Sequence, residues 1–169
     1  MWESLSASQR HWIVVNALAV AAVINAFLNG VIAWASARGT DEVPFFAATG
    51  ETSVITDSLG TLFVLPFITC LLLTTVIRRE LREGKLEPAA IVFPVELAAS
   101  RLLRGMSFGA LTLSLLGLPV ALVLVLSGVG DMSPDGFVAY KAVFGAVLGA
   151  IVTPVIAAWA MADPVELKS

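Results

Sequence analysis

Apolar positions along this chain gather into four long runs parted by short polar stretches. The runs cover approximately 13–34, 59–77, 106–126 and 137–161. A helix needs about 20 apolar residues to cross roughly 30 Å of hydrocarbon. A β-barrel would instead show alternating segments of about 10 residues. The runs are continuous, so the expected fold is an all-α integral membrane protein: a four-transmembrane-helix bundle, one domain over 1–169. Ser6 or Ser8 is placed to cap the first helix, and Asp57-Ser58 the second. Gly84 is a plausible stop for the second helix. Pro66, Pro119 and Pro154 fall inside runs two, three and four, where kinks are expected.

The stretch between runs two and three breaks the pattern. Residues 89–93 are apolar but too few to span, and Pro94 sits where a helix can start. From Val95 to Arg104, Glu96, Arg101 and Arg104 alternate with apolar residues. This predicts an amphipathic interfacial helix over approximately 95–104 on the cytoplasmic side. A bent extension of helix three is the alternative.

Composition sharpens this reading. Of the 169 residues 58% are hydrophobic and only 14% charged. Soluble domains lie nearer one half and one quarter, so a soluble globule and a disordered chain are both excluded. Run one is too long for the apolar core of a signal peptide and reads as a retained helix. Basic residues then orient the bundle. Arg10, Arg78, Arg79, Arg82, Lys85, Arg101, Arg104 and Lys168 fall on one side of the spans, and only Arg38 and Lys141 on the other. Short basic loops stay in the cytoplasm, which predicts both termini there. In a bacterium that membrane is the inner one. Trp2, Trp12, Trp34 and Trp159 lie near span ends, as interfacial indoles do. The pattern resembles small four-helix bacterial inner-membrane proteins, an architectural class that implies no function.

Small residues mark helix contacts in lipid. Ala110, Ser114, Gly117 and Ala121 share a face of helix three. Gly145 and Gly149 share a face of helix four, with Lys141 and Thr153 on the same stripe. With a short connection between them, helices three and four are expected to pair. The same faces suit self-association or another membrane protein.

Intramembrane polar groups are the default candidates for function. Asn25 and Asn29 lie one turn apart on helix one, while Asn16 is expected on roughly the opposite face. Lys141 is expected either to snorkel to water or to pair with Asp57 or Asp131. Thr69 is placed to bond the Leu65 carbonyl beside Pro66. Asn25, Asn29, Lys141 and Thr153 therefore form the candidate polar site. One histidine and one cysteine supply no multi-ligand metal or haem site, so no cofactor, metal or catalytic set is expected. No carboxylate lies at mid-membrane, which argues against proton-coupled antiport. The expected partners are membrane lipids, and no nucleic acid. The expected function is an oligomeric transporter or channel for a small solute or ion. The alternative is a non-catalytic accessory or lipid-binding subunit of a larger membrane complex.

Overall fold

The computed structural model describes residues 5–47, 51–89 and 100–162. Four helices dominate it: α1 (Ala7–Ser36), α2 (Val54–Arg82), α3 (Arg101–Leu126) and α4 (Pro134–Met161). All four are long and apolar enough to cross a membrane. Each is longer than its apolar run, and in α1, α2 and α4 a serine cap sets the start. Ser6 opens α1 in a capping box with Gln9. Ser53 opens α2 by accepting the Thr56 N–H, one turn ahead of the expected Asp57-Ser58 cap. Ser133 opens α4, with Pro134 in its first turn. Helix α2 stops at Gly84, whose φ of +68° suits a residue without Cβ. Pro66, Pro119 and Pro154 are all carried inside their helices.

The interfacial helix expected over 95–104 falls partly outside the described residues, which omit 95–99. Residues 101–104 form the first turn of α3 and continue into it without a break.

The order of helices in space is α1, α4, α2, α3. Helix α4 packs against both α1 and α2, and α3 packs against α2. The expected pairing of helices three and four is therefore replaced. Helices α3 and α4 touch through the edge-to-face rings of Phe108 and Trp159, 5.5 Å apart. The physical reason lies in the faces. Ala110 and Ser114 are exposed, Ala121 is half-buried, and of the four only Gly117 is buried, 3.7 Å from Leu59 of α2 when given a Cβ. The packed face of α3 carries Gly105, Phe108, Gly109 and Thr112 instead.

Three buried clusters run the length of the bundle. Ile13, Ala17, Ile77, Leu81, Ala157 and Met161 close the end that carries most of the basic residues. Leu62, Leu65, Phe108, Leu148, Val152 and Ile156 fill the middle. Ala33, Val43, Val54 and Phe137 close the acidic end, with Phe45 half-buried beside them and Phe46 exposed. At this acidic end the two connections are tied together. Val43 and Met132 exchange backbone hydrogen bonds of 2.8 and 2.9 Å, and the Phe45 N–H donates to Asp131 Oδ1 at 2.8 Å. Large apolar side chains, among them Val23, Phe27, Leu72, Leu118 and Val123, point outward from the helices. Such a surface is stable in hydrocarbon and not in water.

Candidate functional site

Because α4 is inserted between α1 and α2, those two helices are splayed, meeting at the basic end through Ile13, Ala17, Ile77 and Leu81. A groove of about 840 Å³ opens between them. Its walls are apolar, with Ile24 and Leu28 from α1 and Val64 and Ile68 from α2. Polar side chains are set among them along its length, and each owes its place to a distinct local cause.

Asn25 and Asn29 face α4 rather than lipid. Asn25 Nδ2 donates to the Ala21 carbonyl and Asn29 Nδ2 to the Asn25 carbonyl, each at 2.9 Å. These bonds fold the amides back along α1. The space they occupy is the space that glycine leaves on α4. A Cβ on Gly145 would lie 2.6 Å from Asn29 Cγ, and one on Gly149 would lie 3.0 Å from Asn25 Cγ. The small-residue pair of helix four thus receives two amides of α1, and not helix three.

Asn16 lines the same groove as Asn25 and Asn29, although it stands nine residues before Asn25. A regular α-helix advances about 100° per residue and would place it on the opposite face. The difference comes from a π-helical stretch, Ile13–Val20, in which the Ala21 N–H reaches the Asn16 carbonyl five residues back. A wider turn rotates each residue by less, which brings Asn16 round to the groove.

Lys141 is buried rather than snorkelling to water: its side chain is 2% exposed. It forms an ion pair with Asp57 Oδ2, donates to Thr61 Oγ1 at 2.5 Å and reaches the Asp57 carbonyl at 3.3 Å. Thr61 in turn donates to that same carbonyl at 2.9 Å. The ammonium lies 5.4 Å from the centre of the Phe144 ring. A buried charge survives when it is paired, and this one has a carboxylate beside it and two hydrogen-bond acceptors. Asp57 is 25% exposed, so the carboxylate is the wetter partner. Asp131, the other acid considered for Lys141, holds the Phe45 N–H instead.

Thr153 continues the stripe of Lys141, Gly145 and Gly149 along α4. It is 1% exposed, lines the groove, and its Oγ1 has no hydrogen-bond partner among the described residues. Thr69 also lines the groove.

The structure therefore gathers Asn25, Asn29, Lys141 and Thr153 on one groove. Polar residues outside that set also line the groove, among them Asn16, Glu51, Asp57, Thr61 and Glu80. Asp57 and Thr61 carried a signal, being an i,i+4 polar pair at the start of an apolar run. Asn16 carried none, because its phase depends on the π stretch. Gly105 and Gly109 were also missed. They repeat the four-residue spacing of Gly145 and Gly149, but straddle the edge of the third apolar run, where charged neighbours hid the pattern.

The chain matches no family model, no curated protein and no solved structure. Its site must be interpreted from its own geometry. Among the described residues no three His, Cys, Asp or Glu side chains come together as a metal site would require.

Proposed function

We propose that this chain is a small membrane transporter that takes an amphipathic molecule sideways from the bilayer into the α1–α2 groove. One observation carries the reading: a groove of about 840 Å³ with apolar walls and a polar floor reaching α4. Binding sites of this size pair apolar lining with a few convergent polar groups. A pore along the bundle axis has no such support, since Leu62, Leu65, Leu148, Val152 and Ile156 fill the middle of the bundle. The lateral groove needs no second copy to complete it. The distribution of basic residues favours a cytoplasmic Arg78–Arg82 end, from which the groove would run towards the outer face.

Photolabelling tests this. The full chain is reconstituted in bilayer nanodiscs with a long-chain diazirine alcohol, and the labelled residues are mapped. Labelling concentrates on Val64 and Ile68, is saturable, and is lost in Val64→Trp, which fills the groove. Leu118 and Val123 of α3 are at least as exposed and serve as the control for bulk lipid. Equal, non-saturable labelling of both sets overturns the proposal and favours an accessory subunit.

A further inference from the structure

The two amides at the groove floor offer it acceptors. Asn25 and Asn29 spend their amide N–H groups on α1 carbonyls. A flipped amide would set oxygen against oxygen, so the orientation is fixed by the bonds themselves. What remains towards the groove is each Oδ1, which takes no hydrogen bond among the described residues. Lys141 is the one cation lining the groove among the described residues. It is ion-paired with Asp57, donates to the Asp57 carbonyl and Thr61, and is more deeply buried than its carboxylate partner. A ligand therefore meets Asp57 before it meets the ammonium. Glu51 stands at the acidic end of the groove and Glu80 at the basic end. With Lys141 paired to Asp57, the lining among the described residues keeps two further carboxylates and no further cation. Thr153 supplies an independent sign of a ligand: a fully buried hydroxyl at the groove floor with no hydrogen-bond partner among the described residues.

We infer that the ligand of the α1–α2 groove is a cationic amphiphile whose charged group carries N–H donors, a protonated lipophilic amine. The apolar tail lies against Ile24, Leu28, Val64 and Ile68, and the ammonium is passed among Asn25, Asn29, Thr153 and the carboxylates. An anionic headgroup would face the carboxylates of Glu51, Asp57 and Glu80 and the amide oxygens of Asn25 and Asn29, which repel it.

This inference rests on the proposed groove site, and the test separates the two. The full chain in nanodiscs is titrated with dodecylamine, dodecyltrimethylammonium, dodecanol and dodecanoate, with empty nanodiscs as the baseline for partitioning. Dodecylamine binds saturably, one per chain, and the trimethylated cation binds more weakly because it has no N–H. Dodecanol and dodecanoate bind at least roughly tenfold more weakly than the amine. Glu51→Gln with Glu80→Gln, two sites away from the packed interior, weakens the amine by roughly fivefold. Asn25→Leu weakens the amine more than the trimethylated cation, because only the amine donates to Oδ1. Equal or tighter binding of dodecanoate that is still lost in Val64→Trp overturns the cationic assignment and leaves the groove standing. Binding of every probe that is indifferent to Val64→Trp removes the groove as well.

Discussion

Two seams of this bundle use the same spacing of glycines for opposite ends. On the α2–α3 seam, Gly105 and Gly109 admit the rings of Phe67 and Phe63. A Cβ would come within 3.0 Å of the Phe67 ring and 2.7 Å of the Phe63 carbonyl oxygen. The two rings stack with centroids 6.1 Å apart. On the α1–α4 seam, Gly145 and Gly149 admit the amides of Asn29 and Asn25. Both seams bring helices close enough for van der Waals packing, the main force between helices in lipid. The apolar seam spends the closeness on contact area. The polar seam spends it on holding two amides beside a groove. A four-residue glycine repeat therefore sets a distance, and the residue it receives decides whether the seam is structural or a site.

The largest expected effect strikes the polar side. Asp57→Asn leaves the Lys141 ammonium buried without its counter-ion. Breaking a buried pair costs about 3–5 kcal/mol, and the partial exposure of Asp57 puts this one near 3. Lys141→Met costs less, because the remaining carboxylate already touches water. Thermal unfolding in detergent should rank Asp57→Asn well below Lys141→Met. An equal loss in both would mean that the pair is not buried as described.

Next comes the contrast between glycines. Gly109→Ala forces a methyl against the backbone of α2, and overpacking of that kind costs about 1–3 kcal/mol. Gly149→Ala meets a side-chain amide that can swing aside, so its loss is smaller. Removing that amide should repair it: Asn25→Ala in the Gly149→Ala background restores stability, and a double-mutant cycle measures the coupling. No comparable rescue is expected for Gly109→Ala with Phe63→Ala, since the obstructing atom there is a carbonyl oxygen. Rescue in both, or in neither, erases the distinction between the seams.

The smallest effect lies at the basic end, outside both seams. Glu83 accepts from Arg79 Nε at 2.7 Å and from Lys85 Nζ at 2.6 Å, and these hydrogen bonds hold its carboxyl down to about 2. A depressed carboxyl contributes stability above its unfolded value, and loses it as pH falls through the folded one. The group is fully exposed, so solvent and salt screen the contribution. Glu83→Gln should leave the melting temperature unchanged from pH 5 to 8 in ordinary buffer. A clear shift would make this end more than a charged rim.

The four long apolar helices were legible because hydrocarbon thickness is a strict constraint and their runs are long enough to meet it. So was the stripe of Lys141, Gly145, Gly149 and Thr153, since spacing of four keeps residues on one face of a regular helix. Helix order was not legible. Short connections suggest neighbours, yet α4 is seated between α1 and α2 because its small residues fit α1 amides better than anything on α3. The phase of Asn16 escaped for a related reason. Periodicity arguments assume one pitch, and Ile13–Val20 does not keep it. Lys141 was legible as a polar candidate with Asp57 as a partner. Its depth was not, since depth depends on how closely α2 and α4 approach.

The position of α4 also has a bearing on how the protein is made. Helix α1 leaves the ribosome well before α4, with which it makes its long seam. At about 5–20 residues per second, several seconds separate the two during translation. Throughout that interval Asn25 and Asn29 are without the glycines that receive them. Their bonds to the Ala21 and Asn25 carbonyls need no other helix. The amides are thus protected from the first moment by their own helix, and α1 can wait in the bilayer until α4 arrives.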